Sequence, residues 1–403
     1  MLKLAMTLET VTPLFLGGAE PRKTPEIRAP SVRGVLRYWL RAALGGSNLS
    51  DLKTAEAQVF GDTSDGSAVV VRVRSEAQPF NYFESRMEPR RDDPSRKRRV
   101  FIHGEAQTTS YLFFSLDENR REKIDARWCY PVGAEIELEF IARRQDDIAW
   151  QRACGALWLL THLGGLGARS RRGAGSLQAR DGQQLSDWPP GLPALSVQAR
   201  NALELVTKLN KGLTRLRQAF GAGGPMTAPT EFHTLAPQAC RIWVLSPEDG
   251  WPSWSAALGA VAEALRQGRS SGSSYHQLDA VKQAVAAKQR LPAIGRAGLG
   301  LPIVFYDKET RSNVGTLQGD KIERRGSPLH VHVIKLHTEP ARYAVVLIWF
   351  KARFAPAGSE LALKSGQRTL ASGDLPDPAW MDQEFWPVFD QNSGAQRLEV
   401  IFQ

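Results

Sequence analysis

Residues 164–176 read Gly164-Gly165-Leu166-Gly167-Ala168-Arg169-Ser170-Arg171-Arg172-Gly173-Ala174-Gly175-Ser176. Five glycines allow positive φ and close approach of other atoms, while three arginines present planar forks that suit phosphate oxygens. The chemistry such a stretch can do is to hold an anion, above all a phosphodiester backbone. A solvated turn with scattered charge is the competing reading, and other basic segments weigh against it. Arg33, Arg37 and Arg41 recur every fourth residue, so at about 100° per residue they form one helical stripe. No acidic residue lies between Ala29 and Gly46 to offset them, and unrelieved like charges at that spacing repel. Lys23 and Arg28 precede the stripe. Later, Gly295-Arg296-Ala297-Gly298-Leu299-Gly300 echoes the glycine-arginine loop, and Arg324-Arg325-Gly326-Ser327-Pro328 leads into an apolar run.

The expected contacts with a polyanion are therefore Lys23, Arg28, Arg33, Arg37, Arg41, Gly164, Gly165, Gly167, Arg169, Arg171, Arg172, Gly173, Gly175, Arg296, Arg324 and Arg325. Such cationic junctions suit a cleft that tracks a single strand of RNA, with Tyr38, Trp39 and Phe15 available for base stacking. Arg90-Arg91 and Arg96-Lys97-Arg98-Arg99 read as a flexible arm that touches phosphates without sequence preference, or as a solvated loop. The formal net charge of +10 agrees with a polyanionic partner.

Signs of catalysis are sparse. Metal-free RNA cleavage needs a positioned acid and base, often histidine. The seven histidines are His103, His162, His233, His276, His330, His332 and His337, and none falls in a His-x-x-x-His helix motif. No phosphate-binding Gly-x-x-x-x-Gly-Lys loop appears, and Asp92-Asp93 and Asp146-Asp147 read as acidic turns. Cys129, Cys154 and Cys240 are odd in number and far apart, which predicts reduced packing residues in a cytoplasmic protein. No metal and no cofactor is expected. No run of about eighteen apolar residues predicts a membrane span, and the start lacks a signal-peptide core.

These side chains need elements to position them. Leu4, Met6 and Leu8 alternate with polar residues and predict a strand. Pro30 opens a helix whose apolar face is Val32, Val35, Leu36, Trp39, Leu40 and Ala43, ended by Gly45-Gly46. Val69, Val71 and Val73 predict a strand, as do Ser110–Phe114 and the alternation of Ile136, Leu138 and Phe140 with glutamates. A helix carrying Trp150, Ala153, Cys154, Leu157 and Leu160 runs into the glycine-arginine loop, and Leu177 opens a closing strand. Without an insertion at about 75–105, this order is a split βαβ, ferredoxin-like unit over residues 1–190.

Residues 191–235 read as a helical linker, with a helix from about Ser196 to Phe220 bearing Leu203, Val206, Leu209, Leu213 and Leu216. The order then repeats over 236–403. Strands lie at Arg241–Leu245, Leu301–Phe305, Val331–Leu336, Tyr343–Lys351 and Leu398–Phe402, with helices near Trp254 and at Asp377–Phe389. The expected fold class is α+β, with two ferredoxin-like (RRM-like, split βαβ) domains carrying insertions. Leu398–Gln403 also resembles a protease-site remnant with one change, in which case the second sheet loses its last strand.

The run Thr12-Pro13-Leu14-Phe15-Leu16-Gly17-Gly18-Ala19, followed by Glu26-Ile27-Arg28-Ala29-Pro30-Ser31-Val32-Arg33-Gly34-Val35-Leu36-Arg37-Tyr38-Trp39-Leu40-Arg41, resembles the RAMP proteins of CRISPR systems. The likeness is to the first-numbered, two-domain subunit of the type III-B Cmr complex. Phe60-Gly61, the loop 164–176 and Arg325-Gly326-Ser327-Pro328-Leu329 match its later signatures. The resemblance implies two ferredoxin-like domains and a basic groove between them. It also implies a place in a cytoplasmic ribonucleoprotein for antiviral defence, beside other Cmr subunits. There the subunit would bind the 3′ region of guide RNA and capture single-stranded target RNA, with cleavage left to a backbone subunit. The alternative is a metal-independent guide-RNA-processing endoribonuclease of the same superfamily, using His103 or His162. A free-standing regulatory RNA-binding protein is a third.

Overall fold

The computed structural model describes residues 1–45, 48–93, 95–120, 122–222, 228–270, 277–307 and 309–403. Gly46, Pro94 and His276, which the sequence reading names, lie outside the described residues. β1 (Lys3–Thr10) turns Leu4, Met6 and Leu8 inward, as its alternation demands. α1 (Ala29–Leu44) carries Pro30 in its first turn and buries Val32, Leu36, Trp39 and Leu40. α2 (Leu49–Phe60), absent from the sequence reading, is capped by Asn48, whose side chain accepts from the Ser50 amide. β2 (Val69–Arg74) follows, then a hairpin of β3 (Ser85–Pro89) and β4 (Lys97–Phe101), then α3 (Glu105–Phe113). β5 (Glu135–Ala142) buries Ile136, Leu138 and Phe140. α4 (Asp147–Leu163) is capped by Asp146 and leads through the loop to β6 (Leu177–Ala179). The sheet runs β2-β5-β1-β6 with every neighbour antiparallel.

α5 (Ala202–Phe220), capped by Asn201, enters the second half. There β7 (Cys240–Ser246) and α6 (Trp254–Arg269) precede α7 (Gln277–Ala286), β8 (Ile303–Asp307) and β9 (Ser312–Gly319). β10 (Leu329–Leu336), β11 (Arg342–Phe350), β12 (Leu361–Ser365), β13 (Arg368–Gly373), α8 (Trp386–Ser393) and β14 (Gln396–Val400) complete the chain. The second large sheet is β10-β11-β7-β14, again antiparallel throughout. In both sheets the strands of the repeated strand-helix-strand-strand-helix-strand order lie in the order second, third, first, fourth.

The layering explains the apolar patterns. α1, α4 and α5 lie between the two large sheets, and one continuous core joins Leu4, Met6 and Phe140 to Ile242, Val346 and Ile348. α4 is therefore apolar almost all round. The second sheet is covered on its other face by α6 and α8 through Trp243, Val331, Val345 and Leu347. Buried on both faces, β11 reads as an unbroken apolar run from Ala344 to Phe350, while β10 carries the buried His330 and His332 among its apolar residues. Cys129, Cys154 and Cys240 are buried and unbridged. Among the described residues no helix is long and apolar enough to cross a membrane.

Several expectations are corrected. Ser110–Phe114 is not a strand; it belongs to α3 and a following 3-10 turn, with Leu112 and Phe113 in an aromatic-rich core. The basic arm is the β3-β4 hairpin, and its charges are largely matched: Arg90 with Asp92, Arg96 with Asp93, and Arg99 with Asp117 at 2.9 Å. Leu301–Phe305 overlaps β8, which joins a third sheet, β13-β12-β9-β8, with its own small core around Phe305, Leu317 and Leu363. Leu203 is exposed and Leu205 is buried in its stead, because the inward stripe of α5 runs Leu205, Leu209, Leu213, Leu216 and Phe220 and Leu203 lies off it; the helix begins at Ala202 rather than Ser196. Leu398–Val400 lie in β14, which pairs with β7, and Phe402 is buried, so the second sheet keeps its fourth strand here.

Candidate nucleic-acid interface

The glycine-arginine loop is a packed junction. Its carbonyls and amides interlock with residues 12–15. Thr12 Oγ1 donates to the Gly173 carbonyl at 2.7 Å and accepts from the Ser176 amide at 2.9 Å. The Gly175 amide donates to the Pro13 carbonyl, and the Ala168 amide to that of Phe15. Gly175 has φ of 62°, and a Cβ there would collide with the Leu166 carbonyl. A Cβ on Gly164 would collide with the Trp39 indole, so glycine lets the end of α4 lie against α1. The amides of Gly164, Leu166, Ala168 and residues 172–176 are all donated internally. Of the five glycines expected to cradle phosphate, Gly164, Gly173 and Gly175 thus have their amides engaged inside the fold, while among the described residues no such bond engages the amides of Gly165 and Gly167. Gly164 and Gly175 serve packing, and the arginines are what the loop presents.

Arg171 points to the second half of the chain. Its Nη1 donates to the Ser327 carbonyl at 3.1 Å, and its guanidinium lies 5.8 Å from the centroid of the Tyr38 ring on α1. A Cβ on Gly326 would collide with that guanidinium. The Tyr38 hydroxyl is 2.8 Å from His233 Nδ1, and its ring stacks on His330 of β10 with centroids 5.9 Å apart. Tyr38, Trp39, Gly164, Gly165, Ser170, Arg171 and His330 line a cavity of about 180 Å³. Burial, then Arg171, holds the His330 pKa well below the ordinary imidazole value. Burial, Arg171 and Arg325 bring His233 down to about 3. Both rings are thus neutral at physiological pH, and burial raises the Tyr38 hydroxyl. Arg325 stacks on Phe354 at 4.6 Å, and burial with Arg171 nearby lowers it to about 10.

The α1 stripe is partly neutralised. Arg37 Nη1 meets Glu56 of α2 at 2.7 Å, and Arg41 pairs with the other oxygen of the same carboxylate. Arg37 Nη2 also donates to the carbonyls of Phe60 and Gly61, holding the end of α2. Within their own helix these arginines have no partner; the carboxylate that pairs them comes from α2, 15 to 19 residues on. Arg33 has no ion pair among the described residues. Arg28 lies 4.0 Å from Glu26, and Lys23 sits on a different, mixed-charge cavity with Glu20, Arg99 and Glu118. Arg324 is exposed. Of the stacking candidates, Trp39 is core, and Phe15 is buried among Tyr82, Phe83 and Phe113.

Arg169, Arg172 and Arg296 lie on the other side of the loop. Arg169 Nε donates to Ser115 Oγ at 2.8 Å and its guanidinium covers the Phe114 ring at 4.8 Å. Arg296 lies over Phe305 at 4.9 Å. Sequence reasoning missed His233 and Arg269, which are isolated in the sequence, and Phe114, which it placed in a strand.

The histidines raised for catalysis, His103 and His162, sit in different surroundings. His162 is buried, stacks on Trp158 at 4.0 Å and faces the Trp158 carbonyl through Nδ1. Burial lowers its pKa to about 3. His332 Nε2 faces the Thr161 carbonyl at 3.0 Å. His103 packs edge-on against Phe80. Among the described residues no His, Cys, Asp and Glu side chains gather as a metal-binding group.

Comparison with known proteins adds descent to this geometry. Residues 7–178 match the RAMP superfamily. The chain is 34% identical over 191 residues to the CRISPR system Cmr subunit Cmr1-2 of Pyrococcus furiosus, a match covering 45% of this chain and 96% of that protein. It is 29% identical over 174 residues to Cmr1-1 of the same organism, covering 42% of this chain and 46% of that protein, so it spans about half of this second relative. In fold it is similar to the apo crystal structure of Cmr1 from Pyrococcus furiosus, with TM-score 0.54, 21% identity, and 88% and 90% of the two chains covered. It is also similar to a chain of the type III-B Cmr-beta complex solved with cognate target RNA, with TM-score 0.53, 12% identity, and 97% and 99% covered. The chain belongs to the RAMP superfamily and, within it, to the Cmr1 family.

Proposed function

We propose that this chain is a non-catalytic RNA-binding subunit of a cytoplasmic type III-B CRISPR effector complex. It binds the 3′ region of the guide RNA, helps capture single-stranded target RNA, and docks on other Cmr subunits. The observation that carries the reading is the meeting of Arg171, Tyr38 and Arg325 beside the loop, where cations from both halves of the chain converge with neutral, buried histidines. Membership of the Cmr1 family supports the complex, and the strand order of the two large sheets supports two ferredoxin-like domains. We take these as residues 1–190 and 236–403, joined by 191–235, with the hairpin region near 75–105 inserted in the first.

In this reading phosphates lie against Arg171, Arg33, Arg41 and Arg324, and base pairing supplies sequence specificity. Arg37 is a positioning residue, because its fork is spent on Glu56 and two carbonyls. Positive potential speeds the encounter with RNA and makes affinity depend on salt. The non-catalytic role is supported by His162, whose ring is enclosed against Trp158. The test is binding of a labelled single-stranded RNA at several salt concentrations. The expected result is a steep loss of affinity with salt, made shallower by about one counterion in Arg171→Ala. Salt-independent binding, or no binding, overturns the proposal. Cleavage of precursor guide RNA without metal, lost in His103→Ala, would favour the endoribonuclease instead.

A further inference from the structure

Beyond the trough at Arg171, a second group of cations has no counter-charge. The loop packs on α6 where Gly173 meets Leu258, and α3 packs on the same helix. At the far end of α6, Gly268 lies against Phe385, and Gly295 against the adjoining Trp380 ring. The contacts at the far end bring Arg269, the last residue of α6, beside Arg296, and the Arg269 charge is felt at both Arg169 and Arg172. Among the described residues none of the four makes an ion pair, whereas Arg266, one turn earlier on α6, pairs with Glu263 at 2.7 Å. Arg296 Nε is buried without a hydrogen-bond partner. Burial and repulsion from Arg269 lower the pKa of Arg169, Arg172 and Arg296, Arg172 to about 10. Four half-buried guanidinium groups without a carboxylate are costly to fold and are ready for an anion.

Aromatic surface stands beside them. Phe114 is 67% exposed under the Arg169 guanidinium, and Tyr111 of α3 neighbours Arg172 and Arg296. Cations interleaved with an exposed ring suit a single strand, whose phosphates and bases are both satisfied, better than a free phosphate. We infer that Arg169, Arg172, Arg269 and Arg296, with Phe114, form a second contact for single-stranded RNA, separated from the Arg171 trough by the turn Ser170–Arg172. The inference rests on the RNA-binding reading and extends the path of the strand over α3 and α6.

The experiment compares the full chain with Arg269→Gln/Arg296→Gln, Phe114→Ala and Arg171→Ala, using a labelled 20-nucleotide polyuridine, inorganic phosphate, and thermal unfolding. The double variant is expected to bind RNA about tenfold or more weakly, with a salt slope shallower by about 1.4, two contacts at about 0.7 each on a single strand. Its melting temperature without ligand is expected to hold or rise, because repulsion is relieved. Phe114→Ala is expected to weaken binding without changing the slope. Full affinity and slope in the double variant, while Arg171→Ala is impaired, overturns the second contact and leaves the first reading standing. A silent Arg171→Ala beside an impaired double variant does the reverse. A fall in melting temperature with unchanged RNA binding makes the arginines structural and overturns the inference. Equal protection by inorganic phosphate and by RNA, with no effect of Phe114→Ala, reduces the site to a phosphate pocket and overturns the strand contact.

Discussion

Arg171 donates its Nη1 to the carbonyl of Ser327, 3.1 Å away and 156 residues on, so the glycine-arginine loop is fastened to the second half by the arginine that faces the cavity. One side chain thus joins the halves and supplies charge. Arg171→Ala is expected to cost about 1.5–3 kcal/mol of stability, the range for a hydrogen bond to a charged group, and to weaken RNA binding. Arg171→Lys keeps the charge but not the fork, so denaturant unfolding and RNA titration are expected to place it between the two.

Glu56 sets how much of the α1 stripe is free. Glu56→Gln removes the carboxylate that holds Arg37 and Arg41. Two opposite effects are expected: stability falls by about 1–3 kcal/mol as partly buried partners are lost, and RNA affinity at low salt rises. A variant both less stable and weaker in binding would show that the pair matters only for the shape of the site.

Gly175→Ala tests the loop as a packed junction. It places a Cβ at φ of 62° against the Leu166 carbonyl, so thermal unfolding is expected to show a loss of about 3 kcal/mol from strain and overpacking. Gly34→Ala, inside α1 where a Cβ meets nothing within 4 Å, is expected to raise stability by about 0.5–1 kcal/mol instead.

The buried histidines predict a sign for acid sensitivity. His162 and His233 are lowered to about 3 and His332 to about 4, so below about pH 6.5 the unfolded chain binds protons that the folded chain refuses. Stability is fully present above that pH and is lost progressively as pH falls toward 4. Denaturant titrations across pH 4–7 should show this slope, reduced by up to one proton in His233→Gln. RNA affinity at pH 6–8 is expected to gain nothing from these rings, since they stay neutral there.

The fold was legible where each strand or helix had one buried face, as in β1, β5 and α1. What failed had a physical reason in each case. Ser110–Phe114 is a short apolar run, and periodicity over five residues does not separate strand from helix. The third sheet interrupts the second unit twice, with β8 and β9 between its first helix and second strand and β12 and β13 between its third strand and second helix, so Leu301–Phe305 reads locally like a strand of the large sheet. Pairing of Arg37 and Arg41 with Glu56 depends on how α2 folds back on α1, which no local window contains. Arg269 stood out by neither motif nor spacing; only the packing of Gly268 on Phe385 and Gly295 on Trp380 shows where it belongs.

The most direct measurement is a protein–RNA crosslinking map of the assembled effector complex, read residue by residue on this chain. A shared trough predicts crosslinks from both halves, in peptides holding Tyr38, Arg171 and Arg325. Crosslinks confined to the outer face of the first sheet, around Lys3, Arg72 and Glu139, would contradict it.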